Sequence, residues 1–305
     1  AWKRLNQKIS LLMKIIDCTT YYSEDLMLDV RFNILNEYVD KFIITESKFS
    51  HSGERKTLNF NINNFPKFKD KIEYLVIENE PDGLNTSDNT SSTKRLNSLL
   101  RIEQSYNFMM DAIKDTSDDD LICLSDNDEI PNFNSKYFKQ SKSEIYIFKQ
   151  LFFYYKFNLL YDLMPWYGTK ACKKKKLLSF SWLRNLKNRK YPFWRFDTFF
   201  SKAKYTNLEI IEDGGWHFTN LKTAEEIFIK LSNFGHHNEF DDSGVTIKDI
   251  QACIDNRIVN YNHLADMTEK NKYNANYKLN LVDDKKLPDY LLKHKEKYKD
   301  WFDYS

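Results

Sequence analysis

The chain has 305 residues, with 46 basic against 44 acidic side chains, a formal net charge of +2, and 23 Phe and 19 Tyr. So much aromatic side chain excludes an intrinsically disordered polymer, and the near balance of charge removes any global electrostatic case for nucleic acid or an anionic membrane. Electrostatic binding, where it occurs, has to be local.

Residues 1–12 read as an extension or an expression remnant, because a strand pattern starts just after Met13. The segment lacks the apolar stretch and cleavage site of a secretory leader. Lys14-Ile15-Ile16-Asp17 is an apolar run ending in an acid, as in a buried strand that delivers a polar residue to a sheet edge. Ser23-Glu24-Asp25 opens a helix pattern carrying Leu26, Val30 and Ile34 and ending near Tyr38. Phe42 to Glu46 and Ile72 to Ile77 are two further strands, separated by a surface excursion rich in Asn, Lys and Phe. A loop dense in Ser, Thr, Asn and Asp precedes a helix from about Lys94 to Lys114, and Asp120 to Leu124 is a fourth strand. Strands alternating with helices predict an α/β fold with a mainly parallel central sheet flanked by helices. Ligands of such sheets bind beyond the carboxyl ends of the strands.

The second half, aromatic-rich, is less regular. Ile145 to Phe157 is strand-like, Lys170 to Lys190 is basic and loop-rich, and Leu208 to Ile211 is a short strand before Glu212-Asp213-Gly214-Gly215-Trp216-His217. Helices are expected at Thr223–Asn233, Thr246–Asn256 and Pro288–Trp301. Residues 13–305 form a single domain on this reading, with a nucleotide-binding half at 13–131 and an acceptor-binding half at 132–305. Cys18, Cys123, Cys172 and Cys253 make no Cys-x-x-Cys pair, which fits a reducing compartment better than a disulfide framework. No stretch approaches the ~20 apolar residues that cross a bilayer. The expectation is a soluble cytoplasmic protein without a transmembrane segment, and without nucleic acid as a partner.

The fourth strand runs into Ser125-Asp126-Asn127-Asp128-Glu129-Ile130-Pro131. Two carboxylates two residues apart at a strand exit can hold one divalent ion, Mn(II) or Mg(II), that also accepts phosphate oxygens and neutralises a diphosphate leaving group. An isolated Asp-x-Asp is more often a solvated turn; the strand before it and the Glu-Ile-Pro after it favour a site.

These pieces together resemble glycosyltransferase family 17, typified by the enzyme that adds bisecting N-acetylglucosamine to N-glycans. The resemblance is carried by Asp17-Cys18, the helix from Asp25 to Leu35, Val39 to Ser47, Ser52-Gly53 with Lys56, Ser125 to Pro131, and Gly215-Trp216-His217-Phe218 continuing to Lys230-Leu231-Ser232-Asn233-Phe234. It implies a GT-A type fold, a UDP-N-acetylglucosamine donor, a glycan or glycoconjugate acceptor and an inverting transfer that forms a β-1,4 linkage. The family's Phe-x-His-x-Glu signature fits Phe234 to Glu239 only with a slip of one residue, leaving His236 and His237 as alternatives.

Roles follow from residue chemistry. Asp128 is the first choice of metal ligand, Asp126 meets the ribose or the metal's water shell, and His217 completes the shell. A base must take the acceptor proton as the sugar is attacked from the opposite face. Asp213 is expected to do this, with Glu212 as its understudy and Glu129 as a further option. Asp17, Thr19 and Glu46 are expected beside uracil and ribose, Lys56 and Arg184 on phosphate, and Arg101 and Gln104 on the donor. Trp166 and Trp216 are candidate platforms for the acceptor sugar. For each, capping, a solvated charge or core packing is the competing account. Two other functions stay open, a metal-dependent nucleotidyl or phosphoryl transferase and a non-catalytic glycan-binding protein, although a phosphate-binding Gly-x-x-x-x-Gly-Lys-Ser/Thr loop is missing.

Overall fold

The computed structural model describes residues 13–192, 194–233, 237–265 and 272–304. The segment 1–12, His236 and the side chain of His237 lie outside the described residues. Four strands, β1 (Ile15–Thr20), β2 (Lys41–Ser47), β3 (Ile72–Ile77) and β4 (Leu121–Ser125), lie parallel in the order β3-β2-β1-β4. Their apolar runs are continuous because both faces are covered. Ile15 packs with Leu28 and Phe32 of helix α1 (Asp25–Leu35) on one face, while Ile16 and Cys18 meet Tyr106 of helix α2 (Ser91–Asn107) on the other. Thr90 caps α2 by accepting from the Thr93 amide at 3.2 Å. The helix expected to reach Lys114 ends at Asn107 and tightens into a 3-10 stretch, Phe108–Ile113.

The excursion between β2 and β3 is more than surface. Phe65 and Phe68 are buried, with ring centroids 5.2 and 5.4 Å from Phe32.

Beyond β4 the sheet changes direction. The next strands are β5 (Glu129–Pro131), β6 (Ile145–Tyr154), β7 (Leu159–Leu160) and β8 (Trp166–Lys173), with β8 antiparallel between β4 and β6. The basic segment expected to be loop therefore begins as a central strand. Lys170 lies buried within it, and its ammonium donates to the carbonyls of Arg184 and Leu186 at 2.6 and 2.7 Å, closing the last turn of a short helix at Phe180–Arg184. Strands β9 (Glu209–Ile211) and β10 (Gly215–Thr219) both run parallel to β6, and β10 is also antiparallel to β5. The central sheet is thus mixed, parallel in its first half and antiparallel around β8, with helices on its faces.

Helices at Ala224–Asn233, His237–Ser243 and Ile247–Asp255 follow, then a hairpin of β11 (Ile258–Tyr261) and β12 (Tyr273–Lys278) that the sequence pattern did not announce. The helix expected at Pro288–Trp301 is instead a turn and a half at Asp289–Lys293 and a 3-10 run, Lys295–Trp301. No helix among the described residues is long and apolar enough to cross a membrane.

Candidate active site

The acidic turn is built from its backbone outward. Asp126 donates its amide to Glu129 Oε2 at 2.9 Å, and Glu129 returns its own amide to the Asp126 carbonyl at 3.0 Å. The guanidinium of Arg31, rising from α1, donates to the Glu129 carbonyl at 2.6 Å and the Asp126 carbonyl at 3.3 Å, which fixes the turn against the sheet. On its far side the Phe218 amide donates to the Asp128 carbonyl at 2.8 Å, drawing β10 alongside. That brings His217 Nε2 to 3.5 Å from Asp128 Oδ1, and Lys230 Nζ to 3.7 Å from Asp128 Oδ2. A cleft of about 180 Å³ opens here, lined among others by Glu24, Asp128, Asn220, Lys222, Glu226 and Lys230. Asn127 turns aside and donates to Glu24 at 2.7 Å.

Electrostatics separate the two acids at this end of the turn. Burial alone would raise the Asp128 carboxyl, but His217 and Lys230 outweigh it and hold the group well below the usual carboxylate range. Glu129 goes the other way: burial first, then the neighbouring charge of Asp126, pushes it up to about 7. Both Glu129 oxygens are engaged, Oε1 by the Trp166 indole N–H at 2.7 Å and Oε2 by the Asp126 amide. The backbone of β8 runs close above. A Cβ on Gly168 would sit 2.3 Å from Gln150 Oε1 and 2.6 Å from Glu129 Cδ, so only glycine fits.

A pH dependence follows. A carboxyl whose folded value exceeds its ordinary 4.5 binds its proton more tightly in the folded state, so stability falls as pH rises from that value through about 7. Between pH 5 and 8 the contribution is about 1–3 kcal/mol. Urea titrations at the two pH values should show this loss in the wild type and its removal in Glu129→Gln; parallel curves for the two proteins would refute it.

His217 is held face-on between two rings, Phe152 at 4.6 Å and 17° and Trp166 at 4.4 Å and 30°. Its Nδ1 is buried with no hydrogen-bond partner among the described residues. Trp166 therefore orients His217 and Glu129 together. Its indole N–H and ring face are occupied inside the protein, which replaces the acceptor platform expected of it.

The other expected residues divide into those at the acidic turn and those elsewhere. Asp126 stands on the acidic turn but outside the cleft lining: it is clamped by Arg184, whose two terminal nitrogens reach it at 3.1 and 3.2 Å, and by the Tyr106 hydroxyl at 2.7 Å. Asp17 does not reach a ligand. Its side chain is fully buried and takes two bonds from Arg31, 2.6 and 2.7 Å, on the α1 face of the sheet. Thr19 is buried on that same face, paired in register with Ser125. Glu46 anchors the excursion instead of a ribose, accepting from the amides of Asn59 and Phe60, the Tyr74 hydroxyl and Lys56. Lys56 is thereby paired, and it lies over the Tyr22 ring at 5.1 Å. Arg101 forks onto Glu80 at 2.7 and 3.0 Å, and Gln104 donates to the Asn79 carbonyl at 3.2 Å. Trp216 points to the opposite face of β10 from His217 and donates to the Lys286 carbonyl at 2.7 Å.

Glu212 and Asp213 are the main correction. Glu212 pairs with Lys149 at 2.8 Å, and Asp213 accepts from Asn132 at 3.2 and 3.3 Å, beyond the start of β10. Asp213 lies four residues before His217, outside β10 and at the Asn132 end of the β5–β10 pair. Gly215, with φ +117° and room for no Cβ (2.1 Å from the Ile130 carbonyl), serves the β5–β10 contact and not a ligand. Sequence reasoning missed Glu24, Lys222, Glu226 and Lys230 as cleft residues. The order Gly-Trp-His to Glu-Glu-Ile to Lys230 held the only signal for them.

The model of one protein family, Glycosyltransferase family 17, matches residues 1–302. No curated protein sequence matches the chain. Among solved structures it is similar to one described as the inositol-1-phosphate CTP transferase from T. maritima, at 12% identity over 54% of this chain and 72% of that one, with a TM-score of 0.28.

Proposed function

The chain belongs to glycosyltransferase family 17, and from that premise we propose that it is an inverting GT-A type enzyme moving N-acetylglucosamine, or a related sugar, from a UDP-sugar to a glycan hydroxyl with a β-1,4 linkage. The observation that carries this reading is the meeting of His217 and Lys230 on Asp128, which with Lys230 lines one cleft, on the same acidic turn as the Asp126–Arg184 clamp. Anion and cation handling side by side suit a nucleotide diphosphate.

The donor set fits a divalent ion of the Mn(II) or Mg(II) class in part. Asp128 supplies a carboxylate oxygen and His217 an imidazole nitrogen at 3.5 Å from each other. Among the described residues no group of three His, Cys, Asp or Glu is gathered to hold an ion, so a diphosphate and water would complete the shell. Such an ion would neutralise the charge developing on the leaving diphosphate. The remaining work belongs to side chains. Lys230 and Arg184 supply positive charge on either side of the acidic turn. Asp126 and Tyr106 present hydrogen-bonding groups suited to ribose. Of the cleft carboxylates, Glu24 accepts from Asn127 and from the amides of Tyr22 and Ser23, while Glu226 accepts, among the described residues, from the Thr223 amide at 2.8 Å alone. Glu226 has the spare capacity to take the acceptor proton.

Calorimetric titration with UDP-N-acetylglucosamine in the presence of Mn(II) tests the reading. Saturable binding is expected, retained in Glu226→Gln, while that variant loses UDP release in the presence of glycan acceptors. Absence of binding by any UDP-sugar, with or without metal, would sink the proposal.

A further inference from the structure

The segment following Arg184 is folded onto the protein yet displays large apolar side chains to solvent. Its two ends are tied by the Lys187 amide on the Ala203 carbonyl at 3.0 Å and the Tyr191 amide on the Tyr205 carbonyl at 3.1 Å. The Trp182 indole N–H adds a bond to the Lys202 carbonyl at 2.5 Å. Tyr191 is the buried anchor, with the Arg189 guanidinium 4.5 Å above its ring and Arg195 and Lys204 each at 5.8 Å. At the tip, Trp194, Phe196 and Phe200 are 64, 78 and 91% exposed. The same segment carries Lys187, Arg189, Lys190, Arg195, Lys202 and Lys204 against one acid of its own, Asp197, which is paired with Arg195 and Lys204, while Lys190 also meets Glu209 at 3.5 Å.

A solvated basic loop has no need of exposed Phe and Trp, and an apolar protein interface does not favour so many ammonium groups at its rim. Aromatic side chains that enter the headgroup boundary, ringed by Lys and Arg that meet anionic lipid, are the combination used by proteins that lie on a membrane surface. The chain's net charge of +2 shows that this excess is local.

We propose that the segment 187–204 docks the protein onto an anionic lipid surface, with Trp194, Phe196 and Phe200 inserted and the surrounding cations on lipid phosphates. The inference is independent of the sugar chemistry above. Arg184, at the base of the segment, holds Asp126 of the acidic turn, so the segment is tied to that turn by an ion pair.

Co-sedimentation of the full chain with phosphatidylcholine vesicles, with and without phosphatidylglycerol, tests it. Partitioning is expected only onto the anionic vesicles, weakened by high salt, and reduced at least tenfold in F196S/F200S. A second variant, K190Q/K202Q, should lose anionic selectivity while its melting temperature stays unchanged. No partitioning by the wild type would overturn the proposal, as would equal partitioning by F196S/F200S. Self-association in sedimentation velocity that F196S/F200S abolishes, without vesicle binding, would assign the surface to a second copy of the chain and also overturn it.

Discussion

Asp128→Asn is expected to lower kcat/KM for sugar transfer by at least about 10²-fold, the range found when one preorganised electrostatic group is removed from a reacting centre. Asn keeps the shape of the side chain and loses its charge. In the wild type that charge faces two cationic or hydrogen-bonding partners, His217 at 3.5 Å and Lys230 at 3.7 Å, in a setting with little solvent. Their pull keeps Asp128 ionised well below neutrality, so the wild-type carboxylate is present across the working pH range. Removing it leaves His217 and Lys230 facing each other at the cleft and no anionic oxygen donor for a cation there. The cost to folding should be modest, about 1–3 kcal/mol, because the Lys230 side chain, 24% exposed, can turn to water. Steady-state kinetics with a UDP-sugar, read beside thermal melting, separate the two effects. Half or more of the wild-type activity in a folded Asn variant would remove Asp128 from the centre of the site.

Much of the first half was legible in the residues because it is locally consistent. Apolar runs of strand length, each preceded or followed by a helix pattern, could fold in few other ways. The acid at the end of each run was legible as well, but not its direction. Successive strand residues face opposite sides, and whether Asp17 looks toward ligand or toward α1 depends on what α1 brings. The clue lay in α1 itself: Arg31 sits between Val30 and Phe32, on a helix whose neighbouring positions are core. A guanidinium there requires a buried acid, and Asp17 is the nearest strand acid that can answer it. Glu46 follows the same logic with the excursion.

The second half was less legible because its information is non-local. Whether Gly-Gly-Trp-His forms a turn at a ligand or a strand is decided by β5, more than eighty residues earlier, which pairs Gly215 with Pro131 and His217 with Glu129. That pairing places His217 at the acidic turn and sends Asp213 to the other end, so the two residues expected together are separated by the pairing that positions one of them. Lys170 shows a similar limit. A lysine beside Ala171 and Cys172 in a fully buried stretch is unusual, and its reason, the open carbonyl end of a helix fourteen residues on, emerges only in three dimensions.

Arg31→Met should cost about 3–5 kcal/mol of stability, the largest structural effect expected of any single substitution near the site. The guanidinium side chain has no exposure, so solvent cannot stand in for it. It satisfies both oxygens of Asp17 and two carbonyls of the acidic turn, Asp126 and Glu129. Methionine can fill the volume but donates nothing, leaving an ionised carboxylate in the core, a Glu129 carbonyl without its 2.6 Å donor and an Asp126 carbonyl held by the Glu129 amide alone of the two bonds it had. Asp17→Leu combined with Arg31→Met should recover a substantial part of the loss, because apolar pairs of similar size commonly match a buried ion pair. Chemical denaturation of both single variants and the double variant measures this coupling. Strict additivity would mean that the pair does not act as a unit. The same cycle can be read through donor affinity. If Arg31 also shapes the site, the double variant regains stability but not tight binding, because two apolar side chains leave the carbonyls of Asp126 and Glu129 without the donor that holds the turn in place.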